Sequence, residues 1–411
     1  MKKNTFVAKY LDHRNRPREF RDGNSPLTAI LSFFCLSLAI LGFFISFHAR
    51  KLVISEQIFF HQMDKPIPFS NPSVPFSAAT PLCNTTTYCP SPCQNDSSIG
   101  LEEWVGPHKE AWHSMNDDEL MWRASMVPLV AEYPYNRTAK VAFLFLTRGA
   151  LPLAPIWERF FKGHDGLFSI YLHASSLQFN EEPPQSSVFF KRRIPSKPVD
   201  WGKASMIDAE RRLLANALLD FSNERFVLLS ESCIPVFNFT AVYNYLIHSN
   251  QTFVGSFDDP RPRGRGRYNQ RMWPLISIND WRKGSQWFQV NRKIAVVIVA
   301  DRVYYPVFQA HCRPPCYMDE HYIPTLVTKR LPELNSNRSL TWVDWSGGGS
   351  HPASFKGRDV TLGFLTRIRH ESKCTCNGNA SDICVLFARK FEPSTLEPIL
   401  RIAPGLFGFD P

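Results

Sequence analysis

The feature that most limits this chain is the run Leu27–Phe47, LTAILSFFCLSLAILGFFISF, in which no residue carries a charge. As a helix rising about 1.5 Å per residue it reaches roughly 31 Å, the depth of a bilayer's hydrocarbon core. Seven Lys/Arg precede the run and only Arg50 and Lys51 follow it closely. The positive-inside rule therefore leaves the short N-terminus in the cytosol and sends the remainder across the membrane. A cleaved signal peptide is the rival, but the run is long for one, starts late and has no clear small-residue cleavage site. The expected organisation is a cytosolic tail (1–26), a signal-anchor transmembrane helix (27–47), a Pro/Ser-rich stalk (48–100) and a lumenal body (101–411). PIPFSNPSVPF at 66–76 gives the stalk its semi-rigid character.

The net charge of +10 invites a nucleic-acid reading, but residues 1–51 alone hold nine Lys/Arg against three Asp/Glu. The body is nearly neutral, and no nucleic acid is expected as a partner. Seven Asn-x-Ser/Thr sequons, at Asn84, Asn95, Asn136, Asn238, Asn250, Asn337 and Asn379, agree with a lumenal body. So do nine cysteines beyond the apolar run, Cys83, Cys89, Cys93, Cys233, Cys312, Cys316, Cys374, Cys376 and Cys384, clustered as local disulfides would be. The odd count leaves at least one free or paired between chains. A zinc site at Cys374, Cys376 and Cys384 is the alternative, weakened by the absence of any CxxC pair.

Within the body, residues 101–135 read as helical, with Ser114 as N-cap of an acidic first turn. Strands and helices then alternate: strand 141–146, helix 153–161, strand 167–172, helix 203–219, strand 226–229, helix 242–247, strand 253–257. Such alternation implies an α/β body with a mostly parallel sheet and helices on both faces. Ligands then bind beyond the carboxyl ends of the strands, which makes Thr147-Arg148, His173-Ala174 and Ser230–Pro235 walls of a site.

The sequence has no GxGxxG, Walker A, HExxH or GxSxG, and no Asp-x-Asp triplet with which to hold a divalent metal. A bound diphosphate would have to be neutralised by side-chain cations. The acidic pair Asp319-Glu320 before His321 stands at a helix start, where a carboxylate is as readily a cap as a catalyst. The basic run Arg261–Arg271 reads as a solvated or substrate-facing loop. Trp342 and Trp345 flank the flexible Gly347–Gly349, and aromatic faces there suit either a sugar ring or the core.

Eight stretches carry a resemblance: VAFLFLTRG (141–149), VDWGKASM (199–206), FVLLSESCIPVFNF (226–239), RGRYNQRM (265–272), WRKGSQWF (281–288), MDEHYIPT (318–325), TWVDWS (341–346) and LFARKF (386–391). The span from Lys140 to about Leu400 resembles the plant branch of the core-2/I-branching β-1,6-N-acetylglucosaminyltransferase family, of brittle-culm type. The resemblance implies a GT-A-like, Rossmann-type fold on a type II Golgi membrane anchor. It also implies inverting transfer from a UDP-sugar, by family default N-acetylglucosamine, to a glycan or glycoprotein hydroxyl, with no divalent metal or other cofactor. Glu320 matches the family's catalytic base, with His321 as the fallback. Lys390 matches its diphosphate-contacting lysine, and Arg367 or Arg369 a second diphosphate cation. Trp342 matches an acceptor-facing tryptophan, and Asp258, Asp259 and Arg267 are the nearest equivalents of other acceptor contacts. Where animal members end the second strand on an Asp that serves the nucleotide, this chain has His173. Glucuronic acid rivals N-acetylglucosamine as the donor sugar. A catalytically silent glycan-binding or scaffolding member, a cell-surface receptor, and assembly as a homodimer or transferase complex are further alternatives.

Overall fold

The computed structural model describes Leu101, 110–130, 132–176, 179 and 181–409, all within a unit spanning Ser91–Pro411. The tail, the run Leu27–Phe47 and the stalk lie outside the described residues, as do Cys83, Cys89, Cys93, Asn84 and Asn95. Among the described residues no helix is long and apolar enough to cross a membrane.

In chain order the first elements are α1 (Asp117–Ala124), β1 (Lys140–Thr147), α2 (Ala154–Phe161), β2 (Phe168–Ala174), α3 (Ala204–Leu218), β3 (Asn223–Ser230), β4 (Ile234–Pro235) and α4 (Phe239–Ile247). After a long irregular stretch come β5 (Gln289–Asn291), α5 (Arg292–Ala300), α6 (Tyr304–His311), α7 (Tyr322–Arg330) and β6 (Thr341–Val343). The chain finishes with α8 (Leu362–His370), the short β7 (Cys374–Cys376) and β8 (Asn379–Ser381), β9 (Phe387–Arg389) and α9 (Leu396–Phe407).

The central sheet runs β2-β1-β3-β5, with the first three strands parallel and β5 antiparallel at one edge. Successive strand side chains point to opposite faces, and β1 uses both. Ala142, Leu144 and Leu146 join a core with α1, α3, α5, α6 and α7, while Val141, Phe143 and Phe145 join one with α2, α4, α8 and α9. This two-sided burial is why KVAFLFLT is continuously apolar from Val141 to Leu146. Phe143 lies edge-on to Phe160 and Phe161, with ring centroids 5.8 and 4.9 Å away. A second sheet, β4-β9-β6, pairs β9 parallel to β6 and sets Trp342 opposite Ala388. The mixed α/β body with a parallel-rich sheet fits a GT-A-like fold.

Three local expectations are corrected. Among the described residues of 110–135 the helix covers only Asp117–Ala124, and its cap is Asn116 instead of Ser114: the Asn116 side chain takes the Glu119 N–H while Glu119 takes that of Asn116. Residues 253–257 make only two isolated bridges, Phe253↔Gln289 and Phe257↔Lys283. Four residues separate the bridges on one side and six on the other, so the ladder cannot continue between them. Gly284 there presses on the Gly255 carbonyl so closely that a Cβ would lie 1.8 Å from its oxygen. Finally, His173-Ala174 is the end of β2, not a loop.

Two disulfides, Cys312–Cys316 and Cys374–Cys384, account for four cysteines. The second takes two of the three thiols that zinc would need. Cys233 is buried and free, and Cys376 is free and partly exposed. Among the described residues no group of three or more His, Cys, Asp or Glu side chains is placed to hold a metal ion.

Candidate active site

Asp319 and Glu320 occupy a 3-10 turn, Met318–Glu320, that follows the Cys312–Cys316 disulfide and a left-handed Tyr317. Neither caps α7, whose N-cap position is His321 with no side-chain capping bond. The Glu320 Oε2 atom accepts from Lys283 Nζ at 2.6 Å and from Arg267 Nη1. Burial alone would raise this carboxyl; Lys283 and Arg267 outweigh burial and hold it below the usual glutamate range. The side chain is 23% exposed. Both cations are on Oε2, and neither bonds Oε1.

The flanking titratable groups behave differently. Asp319 is buried, its Oδ1 has no partner, and burial followed by the Glu320 charge pushes it up to about 6. Glu210 on α3 is wholly buried; it accepts from Gln286 Nε2 at 2.9 Å through Oε1, while Oε2 is orphaned. Burial, reinforced by Asp319 and opposed by the Gln286 hydrogen bond, raises Glu210 well above the usual glutamate range. His321, the fallback base, lies inside the core stacked on Trp281 at 4.4 Å. Its Nδ1 donates to the Arg282 carbonyl at 2.8 Å, and burial lowers it to about 3. It is neutral and shut away from solvent.

A second cluster forms where the carboxyl ends of β1 and β3 meet β9. Leu146 and Ser230 are register partners, and the Ser232 carbonyl accepts from Phe391 N at 3.0 Å. This brings the Ser230–Pro235 turn against Lys390. Burial, then the charges of Arg389 and Arg148, hold the Lys390 ammonium below the usual lysine range. Glu231, 3.8 Å from Arg148 Nε, is the one carboxylate among these cations whose charge falls on both Lys390 and Arg389. Arg389 stacks its guanidinium 4.0 Å over the Trp287 ring and leaves Nε buried without a partner. Like charges crowded together disfavour one another unless an anion joins them, and Arg148 lowers both Lys390 and Arg389.

The two candidate diphosphate arginines part company on α8. Arg369 donates to the Leu406 carbonyl in the last turn of α9 and stacks 4.3 Å over Phe237, so it ties two helices together. Arg367 is exposed, lies 5.6 Å from the Phe364 ring and adds its positive charge near Asp344. Phe364 is 4.7 Å from Phe355, whose N–H donates to the Lys390 carbonyl at 2.8 Å. Arg367 is thus linked to the Lys390 backbone only through these two rings.

The remaining candidates divide in the same way. Thr147 is buried with its hydroxyl donating to the Gly149 carbonyl at 3.0 Å, whereas the Arg148 side chain is 85% exposed beside the cation cluster. His173 is 0% exposed, and burial plus Arg212 lower it to about 3, so its imidazole faces the core and not a nucleotide. Trp342 is half-buried, packs against Phe355 and Phe364, and donates from Nε1 to Glu371. Asp258 and Asp259 are engaged by Arg265 and Arg261, at 2.7 and 2.8 Å for the Nε contacts. Arg267 stands between Glu320 and the Tyr317 ring, 4.5 Å away. Of the described sequons, Asn136, Asn250, Asn337 and Asn379 are exposed, while Asn238 is half-buried and its side-chain oxygen caps α4.

Residues 141–369 match the Core-2/I-Branching enzyme family. The chain belongs to that family. It is 39% identical over 298 residues to Glycosyltransferase BC10 of Oryza sativa subsp. japonica, a match covering 62% of this chain and 74% of the relative. Membership makes it a glycosyltransferase.

Sequence reasoning missed Lys283, Gln286, Trp287, Glu210 and Arg389 as parts of this architecture. All but Glu210 stand in quoted motifs, WRKGSQWF and LFARKF, where the basic residue beside Gly284 and the one beside Lys390 were legible signals. Lys283, which holds Glu320, and Trp287, which holds Arg389, are four residues apart, so their Cα atoms are separated by at most about 14 Å. One short segment therefore spans from the carboxylate to the cation cluster. The glycine of VDWGKASM is required as well: Gly202 has φ +73° and a Cβ there would lie 2.5 Å from the Tyr317 ring.

Proposed function

We propose that this chain is a single-pass type II Golgi membrane glycosyltransferase with a lumenal catalytic body, performing metal-independent, inverting transfer from a UDP-sugar to a glycan hydroxyl. The family default donor sugar is N-acetylglucosamine. The observation that carries the reading is Glu320, an ionised, partly exposed carboxylate with both its cations on one oxygen.

Inverting transfer is a single displacement at the anomeric carbon. The acceptor hydroxyl donates its proton to Glu320 Oε1 as the new C–O bond forms, and the bond to the β-phosphate oxygen breaks with its electron pair on the leaving UDP. A positioned base contributes roughly 10²–10⁴ in rate. Lys283 and Arg267 keep Glu320 ionised at working pH and hold its rotamer. The charge that develops on UDP is met by Lys390, Arg389 and Arg148. Because these cations are already assembled, they need no reorganisation during the reaction. The lack of an Asp-x-Asp triplet and the presence of this cluster support the same reading.

The deciding experiment measures UDP release and sugar transfer by the full-length chain in detergent across a panel of UDP-sugars and oligosaccharide acceptors. Glu320→Gln is expected to keep donor affinity and lose transfer by about 10²-fold or more. Transfer by that variant at near wild-type rate removes Glu320 as the base. A wild-type chain that binds glycan and releases no UDP is a silent binding member.

A further inference from the structure

The basic run 261–271 is only partly consumed by the site described above. Arg261 is paired with Asp259, Arg265 with Asp258, and Arg267 with Glu320. Arg271 has no acidic partner among the described residues, and neither does Arg313 across from it. Both are exposed, and both line a cleft of about 580 Å³ between the 266–271 turn and the disulfide loop Cys312–Cys316. Arg267, His311, Asn269 and Gln270 complete its polar lining, and no carboxylate contributes to it.

The cleft is preformed. Asn269 Nδ2 donates to the His311 carbonyl at 3.1 Å, tying one wall to the other. Tyr268 anchors its hydroxyl on the Ile276 carbonyl at 2.7 Å. The disulfide closes the opposite loop over four residues of separation. The cleft also shares a residue with the chemistry, since Arg267 lines it and simultaneously binds Glu320. A molecule presenting a hydroxyl to Glu320 can therefore extend past Arg267 into this cleft.

We propose that the cleft is an acceptor subsite for an acidic glycan, with Arg271 and Arg313 receiving a carboxylate or sulfate on a sugar beyond the reacting one. Guanidinium groups bind such oxyanions through paired, charge-assisted hydrogen bonds. Asn269 and Gln270 supply the neutral donors and acceptors that sugar hydroxyls need. A volume of several hundred cubic ångströms holds one or two sugar rings. This polar amide lining, next to a carboxylate that receives a sugar hydroxyl, favours a glycan over an acidic peptide.

The inference rests on the transferase reading, and its test is chosen to separate the two. The probes are a β-linked galactose trisaccharide and the same trisaccharide with its terminal C6 oxidised to a carboxylate. Binding to the full-length chain in detergent is measured by calorimetry, and transfer is measured in parallel with the best UDP-sugar. Exposed charge pairs are each weak, so two arginines together should favour the carboxylated probe by about tenfold. In Arg271→Glu/Arg313→Glu that preference should vanish or invert, and raising the salt should erode it in the wild type. Thermal unfolding of the variant confirms that these exposed changes leave it folded. Equal affinity for the two probes, or a preference unchanged by the double substitution, overturns the proposal. A short poly-glutamate peptide that displaces the carboxylated probe at lower concentration assigns the cleft to acidic peptide and also overturns it. Failure of transfer with intact, Arg271/Arg313-dependent binding instead counts against the catalytic reading and upholds the subsite.

Discussion

Asp319→Asn tests the electrostatics behind the base. Asp319 titrates near 3.8 when unfolded and at about 6 in the folded protein. Between those pH values the folded state holds a proton that the unfolded state has lost. The stabilisation is thus fully present below about pH 4 and is lost as pH rises through 6. Two units at 1.36 kcal/mol each amount to about 3 kcal/mol. The groups that set the shift are burial first, then Glu320, opposed by a backbone hydrogen bond and by Lys283 and Arg267. Asparagine does not titrate, so the stability of Asp319→Asn relative to wild type should climb by about 3 kcal/mol between pH 4 and pH 7 and then level off. Any constant packing cost of the amide cancels in that comparison. Urea unfolding followed by tryptophan fluorescence, at intervals of half a pH unit, gives both curves. A difference that stays flat within about 0.5 kcal/mol across the range refutes the claim that burial and Glu320 raise the Asp319 carboxyl.

Lys283→Met removes one of the two cations on Glu320, so the Glu320 carboxyl should titrate higher; the acid limb of the kcat/KM–pH profile should move upward, and an unmoved limb would mean that Lys283 does not tune the base. Arg369→Ala should cost about 1–2 kcal/mol of stability through its carbonyl bond and ring stack while leaving donor KM alone. Arg367→Ala should do the reverse, raising donor KM with little change in unfolding temperature. Treatment with a strong chelator should leave transfer at its untreated rate, and an absolute requirement for added Mn²⁺ would show that the cation cluster does not suffice.

Much of the fold was legible because strand and helix periods are local properties. KVAFLFLT and NERFVLLS are buried on both faces and read as central parallel strands from composition alone. The failure at 253–257 has a tertiary cause: two glycine backbones, 255 and 284, press together and break a ladder that a strand-like sequence would otherwise extend. In the site, Glu320 and Lys390 could be singled out because each sits in a distinctive motif. Lys283, Gln286 and Glu210 could not be assigned partners, since their roles depend on contacts 37 and 76 residues away in the chain. His173 illustrates the converse, because a strand-end position says nothing about which face its side chain takes, and Arg212 holds it inward.

On the proposed mechanism, the segment from Lys283 to Trp287 would couple proton acceptance to leaving-group stabilisation. Its first residue grips Glu320, its fourth braces the buried Glu210, and its fifth supports Arg389. A single inserted or deleted residue there would then misalign both halves of the reaction together.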